Sequence, residues 1–174
     1  MNKLEDYIIE IENIIPNNLS DNIVSYYKSN NSLFKEALVG KGELNINIRN
    51  CYTHSLDQTF EKQIFDIVSE CIKIYNNKFK LNISKDTGYQ ILKYEKGGFY
   101  REHVDQYDGH NRAISCSLIL NNDFLGGNFS FFNNKIILPV KKNSVLMFPS
   151  NFMYPHQILP ISDGTRYSII TWFV

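Results

Sequence analysis

Three side chains in the second half of the chain have the types and spacing of metal ligands. His103 and Asp105 are two residues apart in YREHVDQ, and residues i and i+2 of an extended strand point to the same side. His156 follows about fifty residues later, at the start of another predicted strand. Two imidazoles and one carboxylate on one face of a metal leave three coordination positions open, as in non-haem iron(II) sites. The alternative is that His103 and Asp105 form an ordinary surface pair.

Arg166 lies ten residues after His156, beyond the segment ISDGT, which predicts a chain reversal. On the returning strand, the side chains that share its face are Ser168, Ile170 and Trp172. A guanidinium pairs bidentately with a carboxylate, and a serine hydroxyl can add a third hydrogen bond. A buried arginine beside a metal needs an anion, and 2-oxoglutarate would supply one at the end away from the metal. The alternative is an exposed arginine paired with Asp163 or Asp108.

The remaining histidines and the cysteines give no second cluster. His54 and His110 fall in polar segments that predict exposed loops. The cysteines are three in number, widely spaced and without a CxxC pair, so neither a zinc site nor a disulfide framework is indicated. They are Cys51, Cys71 and Cys116. We expect reduced, partly buried thiols in a cytoplasmic protein.

Length and composition predict one folded domain. A chain of 174 residues that is 43% hydrophobic and 14% aromatic has material for one core and is too short for two ordinary domains. Lysine plus arginine balance aspartate plus glutamate at 18 each, which disfavours a protein that mainly grips nucleic-acid phosphates. Acidic residues interrupt the N-terminal apolar stretch, unlike a signal peptide, and no apolar run approaches the roughly 20 residues of a membrane span. The prediction is a cytoplasmic protein with no membrane partner.

The first half of the chain is predicted to be largely helical. In EDYIIEIENII the apolar residues recur at helical spacing up to Pro16, which closes the pattern. Ser20 and Asp21 offer an N-cap for a second helix, DNIVSYYKSN. An amphipathic third helix is predicted from about Asp57 to Lys78. Between the last two, GELNINIRNCYTHS alternates apolar and polar residues and predicts a strand followed by a loop.

From about Gly88 the pattern changes to short strands separated by Gly, Asn, Pro and Asp clusters. Seven are predicted: TGYQILKYE, RAISCSLILN, GNFSFFN, KIILPVK, SVLMFPS, PHQILPI and RYSIITWFV. This spacing predicts a double sheet rather than alternating βαβ units. The predicted fold class is mainly β with N-terminal helices (α+β) in a single domain over residues 1–174. Residues 88–174 are expected to form a double-stranded β-helix (jelly-roll) catalytic core, with residues 1–87 as a helical support packed on one sheet.

These segments resemble the prolyl 4-hydroxylase branch of the iron(II)/2-oxoglutarate-dependent dioxygenases. YEKGGFYREHVD is similar to the family's tyrosine, glycine-containing turn, second tyrosine and HxD. RAISCSLILNNDFLGGNFSFF is similar to its arginine-led strand and Gly-Gly turn, and VLMFPS to the strand before the distal histidine. PHQILPISDGTRYSIITWF is similar to the block with that histidine, an arginine and a closing tryptophan. The four blocks occur in the family's order and cover about residues 88 to 174, half of the chain.

The resemblance implies a role for several residues. The implied iron ligands are His103, Asp105 and His156. Arg166 would bind the distal carboxylate of 2-oxoglutarate, helped by Ser168. Tyr94 is a candidate hydrogen-bond donor to the co-substrate or to an iron-bound water, and Tyr100 either lines the same pocket or belongs to the core. The implied cofactors are iron(II), 2-oxoglutarate and dioxygen, with ascorbate as an optional addition.

Two positions depart from the family pattern. Ile119 stands where several members have a tyrosine that contacts 2-oxoglutarate, so the pocket is expected to be drier or to take its contacts from elsewhere. Asn128 follows the glycine pair Gly126–Gly127, where an acidic residue is common. The glycines are expected to serve a turn, and Asn128 to have a structural role, with a place near the substrate as the alternative. Neither departure affects the predicted metal ligands.

The implied activity is hydroxylation of an unactivated C–H bond, with a peptidyl proline as the first choice, coupled to decarboxylation of 2-oxoglutarate to succinate. The expected partner is a peptide or protein substrate. Arg49 and Tyr52 precede the long helix, where related enzymes place substrate-contacting loops. The alternative for these two is a solvated arginine and a packed tyrosine. The segment QYDGHN after Asp105 is a second expected lid or substrate contact.

Two other classes of function remain as alternatives. One is an oxygenase that acts on another side chain, a small molecule or an alkylated nucleic acid. The nucleic-acid repair branch normally has a second arginine a few residues beyond the first, and none follows Arg166 in this sequence. The other is a non-catalytic metal-binding jelly-roll module, which would explain the strands but not the joint placement of the metal ligands and Arg166. Such a module should ignore 2-oxoglutarate.

Overall fold

The computed structural model describes residues 3–40, 42–107, 109 and 111–174. Asp108 and His110, named above, lie outside the described residues. Two α-helices and fourteen strands follow one another in the order β1 (Ile9–Ile11), α1 (Asn17–Ser29), β2 (Lys35–Glu36), β3 (Arg49–Asn50), β4 (Tyr52–Ser55), α2 (Gln58–Phe79), β5 (Gln90–Tyr94), β6 (Phe99–His103), β7 (Ile114–Ile119), β8 (Phe124–Gly126), β9 (Phe129–Phe131), β10 (Ile136–Leu138), β11 (Val145–Pro149), β12 (His156–Ile158), β13 (Ile161–Gly164) and β14 (Arg166–Phe173). Short 3₁₀-helices cover Leu4–Tyr7 and Asn31–Leu33.

The strands form two larger antiparallel sheets. The large sheet has the order β1-β11-β7-β14-β5-β4-β2, and the small sheet has the order β10-β9-β12-β6-β3. β13 and β8 form a separate antiparallel ribbon. One face of the large sheet meets the small sheet in a core that includes Leu92, Phe131 and Phe148. The protein is therefore mainly β with antiparallel sheets, as predicted, and its described residues contain two of the three predicted helices.

Both α-helices pack on the other face of the large sheet, where residues such as Ile64 of α2 and Ile169 of β14 share one buried cluster. α2 begins as predicted, because the Asp57 side chain accepts a hydrogen bond from the Thr59 backbone N–H at 2.9 Å. Its buried positions lie on one stripe: Phe60, Ile64, Val68, Cys71, Ile72 and Tyr75. The helix thus covers the sheet face that is turned away from the predicted site.

The start of α1 differs from the prediction. The helix begins at Asn17, directly after Pro16, and not at the proposed cap formed by Ser20 and Asp21. Ser20 is buried inside the helix, where its hydroxyl donates to the Asn17 carbonyl at 3.0 Å. Pro16 therefore precedes the first helical residue, where its fixed φ suits the chain entry, and does not end an earlier helix.

The predicted helix over EDYIIEIENII is wrong. β1 (Ile9–Ile11) occupies this segment and pairs with β11 at the edge of the large sheet. Ile9 and Ile11 pack against the helix-side cluster, whereas Ile8 packs against the cluster between the sheets. Apolar residues both before and within this short strand therefore contact core clusters, and their combined spacing imitates a helical period. With β1 to β4 all before residue 88, the first part of the chain is not purely helical and contributes strands to both sheets.

All seven predicted strands are present, as β5, β7, β9, β10, β11, β12 and β14. The segment GELNINIRNCYTHS contains two short strands, β3 and β4, instead of one strand followed by a loop. His54 therefore lies half-buried on a strand and not in an exposed loop. β8 and β13 were not predicted, because both are mostly exposed and show no apolar alternation.

The cysteines are free and buried, as expected of reduced thiols. Burial raises the pKa of Cys71 to about 12 and that of Cys116 well above its usual range, so both thiols stay protonated and unreactive at neutral pH. None of the helices in the described part of the chain combines the length and apolarity needed to cross a membrane.

Candidate active site

Strand pairing in the small sheet brings the three predicted metal ligands together. His103 ends β6 and His156 begins β12, and the two residues are direct partners in the antiparallel register. Asp105 follows β6 at a bend, with Oδ1 3.6 Å from His103 Nε2 and Oδ2 3.6 Å from His156 Nε2. One ligand atom from each side chain lies within 4.8 Å of the others. The sequence pair His103–Asp105 is thus a convergent cluster rather than a surface pair.

Backbone carbonyls orient both imidazoles in the same way. His103 Nδ1 lies 2.8 Å from the Arg101 carbonyl oxygen, and His156 Nδ1 lies 3.1 Å from the Tyr154 carbonyl oxygen. A carbonyl only accepts, so these contacts place the proton on Nδ1 and leave the lone pair on Nε2. Both Nε2 atoms face Asp105, which is the tautomer that metal ligation requires.

The protonation states also suit a cation. Burial and the neighbouring His103 lower the pKa of His156 to about 4, against the opposing effect of Asp105, so this imidazole is neutral at neutral pH. Burial opposes ionisation of Asp105, but the imidazoles of His156 and His103 and the Ser115 hydroxyl outweigh it and hold the pKa of that carboxyl well below its usual range. A neutral imidazole and an ionised carboxylate are ready ligands, and this nitrogen and oxygen donor set fits iron(II).

Arg166 is almost completely buried, at 1% exposure, and lacks a carboxylate partner within ion-pair distance among the described residues. Its Nη1 donates to the Gly127 carbonyl at 2.7 Å, but its Nε has no hydrogen-bond partner there. Burial lowers the pKa of Arg166 to about 10, so the guanidinium is still charged at neutral pH. Asp163, the proposed surface partner, lies near Lys96 instead, at 3.6 Å. A buried, uncompensated cation requires an anion, which fits a carboxylate of 2-oxoglutarate.

Two further groups predicted for the co-substrate lie beside Arg166. The Ser168 hydroxyl is buried without a partner in the described part of the chain, two residues along β14. Tyr94 of β5 is the direct register partner of Arg166, and the guanidinium carbon lies 5.6 Å from its ring centre. Burial raises the pKa of Tyr94 well above its usual range, so its hydroxyl keeps its proton and can act as a donor.

The glycine turn before β9 positions Arg166. Gly126 and Gly127 both have positive φ, at 79° and 65°. A Cβ on Gly127 would lie 2.3 Å from Ile161 Cδ1, so that side chain would have to shift, and the positive φ favours glycine. The Gly127 carbonyl that accepts from Arg166 therefore depends on this conformation. The carbonyl of Asn128, the next residue, accepts from the Leu159 N–H at 3.0 Å.

A single cavity of about 320 Å³ joins the metal ligands to the arginine. Its walls come from both sheets and include the three metal ligands together with Tyr94, Arg166 and Ser168. Ile119 is buried in the core between the sheets and does not line this cavity. The space is large enough for a five-carbon dicarboxylate.

The predicted substrate residues differ in their placement. Arg49 lines the cavity, its guanidinium carbon lies 4.7 Å from the ring centre of Tyr100, and that ring stacks on His103 at 3.6 Å. Tyr52 does not line the cavity. The neighbouring Thr53 does line the cavity, and side chains alternate along a strand, so Tyr52 faces the other side of the sheet. There its ring centre lies 4.5 Å from Lys93 Nζ. The structure therefore groups Arg49 and Tyr100 with the site and leaves Tyr52 outside it.

Several residues of the site were not predicted from the sequence. Arg112 donates from Nη1 to the Asp105 carbonyl at 3.1 Å, and its guanidinium carbon lies 3.5 Å from the ring centre of Trp172. Ser115 donates to Asp105 Oδ2 at 2.6 Å and contacts Ser150 at 2.8 Å. Arg112 and Trp172 begin and end blocks of the family resemblance, which was the available signal. No such signal marked Ser115 and Ser150 in the sequence, because single serines are common in any strand.

Comparison with known proteins agrees with this geometry. Residues 89–174 match the family model of the 2OG-Fe(II) oxygenase superfamily. The chain belongs to this superfamily. No curated protein matches the chain. The superfamily uses iron(II), 2-oxoglutarate and dioxygen, in agreement with the three metal ligands gathered in one cavity.

Solved structures of prolyl hydroxylases share the oxygenase's fold. A Pseudomonas putida prolyl-4-hydroxylase has a TM-score of 0.79 and 21% identity, over 96% of this chain and 92% of that one. A Trichoplax adhaerens prolyl hydroxylase, in complex with a hypoxia inducible factor peptide fragment, has a TM-score of 0.79 and 18% identity, over 96% and 83%. A viral collagen prolyl hydroxylase from Paramecium Bursaria Chlorella virus-1, in its 2OG complex, has a TM-score of 0.71 and 18% identity, over 96% and 95%. The predicted resemblance is confirmed for the family and for the fold.

Proposed function

We propose that this oxygenase hydroxylates a prolyl residue of a peptide or protein, with decarboxylation of 2-oxoglutarate to succinate. The observation that supports it most is the buried, anion-lacking Arg166 in the same cavity as the three metal ligands. We propose that residues 1–174 act as one catalytic domain around a double-stranded β-helix core, because strands from both halves of the chain complete both sheets.

In this proposal His103, Asp105 and His156 hold iron(II). Bound iron(II) with 2-oxoglutarate and dioxygen supplies the oxidation of a C–H bond. The protein contributes geometry and charge: two imidazole Nε2 atoms, one ionised carboxylate and a cavity between two sheets that limits access of water. A protein general base is not required.

The other end of the cavity binds the distal carboxylate of 2-oxoglutarate. Arg166 pairs with it through the free Nε and its charge, and Ser168 adds a hydroxyl donor. The protonated Tyr94 hydroxyl donates in the same region. This arrangement compensates the buried guanidinium only when the dicarboxylate is present, so binding of the co-substrate also satisfies the site's own polar groups.

The substrate is proposed to lie in the part of the cavity that Arg49 and Tyr100 line. Arg49 Nη1 donates to the Leu38 carbonyl at 3.0 Å, and its guanidinium lies over Tyr100. These contacts hold a cation and an aromatic ring beside His103. A peptide substrate is favoured by the prolyl hydroxylases of the same fold, one of which is bound to a peptide fragment.

The test is a panel of proline-containing peptides incubated with iron(II), 2-oxoglutarate, dioxygen and optional ascorbate. We expect at least one peptide to accelerate succinate release and to gain one oxygen atom by mass spectrometry. Asp105→Ala should abolish both signals, because it removes the anionic metal ligand. If no peptide of a varied panel gains oxygen while succinate release is stimulated by other side chains, small molecules or alkylated nucleic acid, prolyl hydroxylation is the wrong assignment.

A further inference from the structure

Asp105 is the one metal ligand that no strand ladder holds. It follows β6 at a bend, whereas His103 and His156 belong to paired strands. Two contacts fix its backbone and that of its neighbour. The Asp105 carbonyl accepts from Arg112, and the Gln106 N–H donates to the Ser150 carbonyl at 2.9 Å. The position of the carboxylate itself depends on its side-chain contacts.

A pair of buried serines holds that carboxylate. Ser115 of β7 lies 2.6 Å from Asp105 Oδ2, and Ser150, after β11, lies 2.8 Å from the Ser115 hydroxyl. An ionised carboxylate only accepts, so the Ser115 proton points to Asp105. Ser150 must then donate to Ser115. Both serines are at most 3% exposed, so water does not compete with this ordered chain of hydroxyls.

We infer that Ser115, ordered by Ser150, is a positioning residue that holds the Asp105 carboxylate through Oδ2, between the two histidines. The inference rests on the proposed metal role of Asp105. Ser115 engages Oδ2, and in this orientation Oδ1 lies 3.6 Å from His103 Nε2 and Oδ2 lies 3.6 Å from His156 Nε2. Hydrogen bonds to a ligating carboxylate fix its orientation, and their loss typically costs about 10- to 100-fold in metal affinity or activity.

The test measures binding of Co(II) alone to the apo protein by calorimetry, in the wild type and in three variants. Ser115→Ala should weaken Co(II) binding about tenfold or more. Ser115→Thr keeps the hydroxyl and should restore binding to within about threefold. Ser150→Ala should give an intermediate loss, because Ser115 remains but is no longer ordered. Ser117→Ala is the matched control, a buried serine two residues along the same strand.

The outcomes separate this inference from the proposed function. If the wild type binds no Co(II), the metal site and the inference are both wrong. If the wild type binds Co(II) and Ser115→Ala binds it equally well, only the inference is wrong. Thermal melting of the apo proteins distinguishes positioning from a structural role, since positioning predicts a loss of affinity without a matching loss of stability. If Ser115→Ala does not fold, wild-type affinity in Ser150→Ala overturns the inference.

Discussion

The residues of the site have protonation states and orientations suited to ligand binding. The Nε2 atoms of His103 and His156 are free because backbone carbonyls engage Nδ1. The charge of Arg166 is buried without a carboxylate among the described residues, which is costly unless a ligand compensates it. These residues were predictable because HxD, the distal histidine and the arginine occur at characteristic distances. Ser115 and Ser150 were not, because their role comes from a contact between distant strands.

Replacing Arg166 tests the co-substrate assignment. Arg166→Ala should raise the dissociation constant for 2-oxoglutarate by a factor of about 30 to several thousand, since loss of one partner of a buried charge pair costs about 2 to 5 kcal/mol. Arg166→Lys should be intermediate, because the charge remains and the bidentate fork is lost. The measurement is the dependence of succinate formation on 2-oxoglutarate concentration.

Arg101→Ala is the control for that experiment, because its side chain is exposed and does not line the cavity. Its backbone carbonyl, which contacts His103, is not altered by the substitution. An Arg166→Ala protein with the wild-type requirement for 2-oxoglutarate would mean that another residue binds the distal carboxylate.

At the scale of elements, strand register and one turn determine the site. The register of β6 with β12 pairs the two histidines, and that of β14 with β5 pairs Arg166 with Tyr94. Periodicity located β5, β12 and β14, because each shows alternation or a β-branched run between turn residues, whereas β6 was inferred from the spacing of His103 and Asp105. Periodicity failed at β1, a three-residue strand preceded by apolar residues, and at the exposed ribbon of β8 and β13. Pairing partners also could not be read from the sequence, since register depends on contacts across the whole sheet.

The Gly127 turn offers a test at this scale. Gly127→Ala should destabilise the fold by about 1 to 2 kcal/mol for the left-handed backbone, with a further cost for the overlap with Ile161. It should also weaken 2-oxoglutarate binding, because the displaced carbonyl no longer holds Arg166. Denaturant unfolding and co-substrate titration measure the two effects.

Gly88→Ala is its matched control. Gly88 has a φ of +81°, and a Cβ there meets no atom within 4 Å. This variant should show the backbone cost alone, with unchanged 2-oxoglutarate binding. If both substitutions have equal effects on stability and on 2-oxoglutarate binding, the Gly127 turn does not position Arg166.

At the scale of the whole molecule, the large sheet lies between the helix-side core and the cavity that holds the metal ligands. One face packs against α1 and α2, and the other faces the small sheet and the cavity. Strands from both halves of the chain complete the two sheets, so the proposed division at residue 87 does not separate support from core. The helices therefore stabilise the sheet from the side opposite to the ligands.

Because the helices and the cavity lie on opposite faces of the large sheet, shortening a buried helix side chain should reduce stability without weakening 2-oxoglutarate binding. Ile64 is fully buried in the helix-side cluster, so Ile64→Ala should lower the free energy of unfolding by about 2 to 5 kcal/mol. 2-Oxoglutarate affinity of the folded protein should stay within about twofold, because Ile64 does not line the cavity. Phe65→Ala on the same helix, at a half-exposed position, should change stability by about 0.5 kcal/mol or less. A large affinity loss in Ile64→Ala would show that the two faces of the sheet are coupled.

The most direct test of the central claim is an anaerobic titration of the apo protein with iron(II) and then 2-oxoglutarate, followed by visible absorption. A keto acid chelated to iron(II) gives a weak charge-transfer band. We predict that the band appears only with both ligands and saturates near one equivalent of each. Iron binding without any band on addition of 2-oxoglutarate would contradict the account and would favour a metal-binding module without oxygenase chemistry.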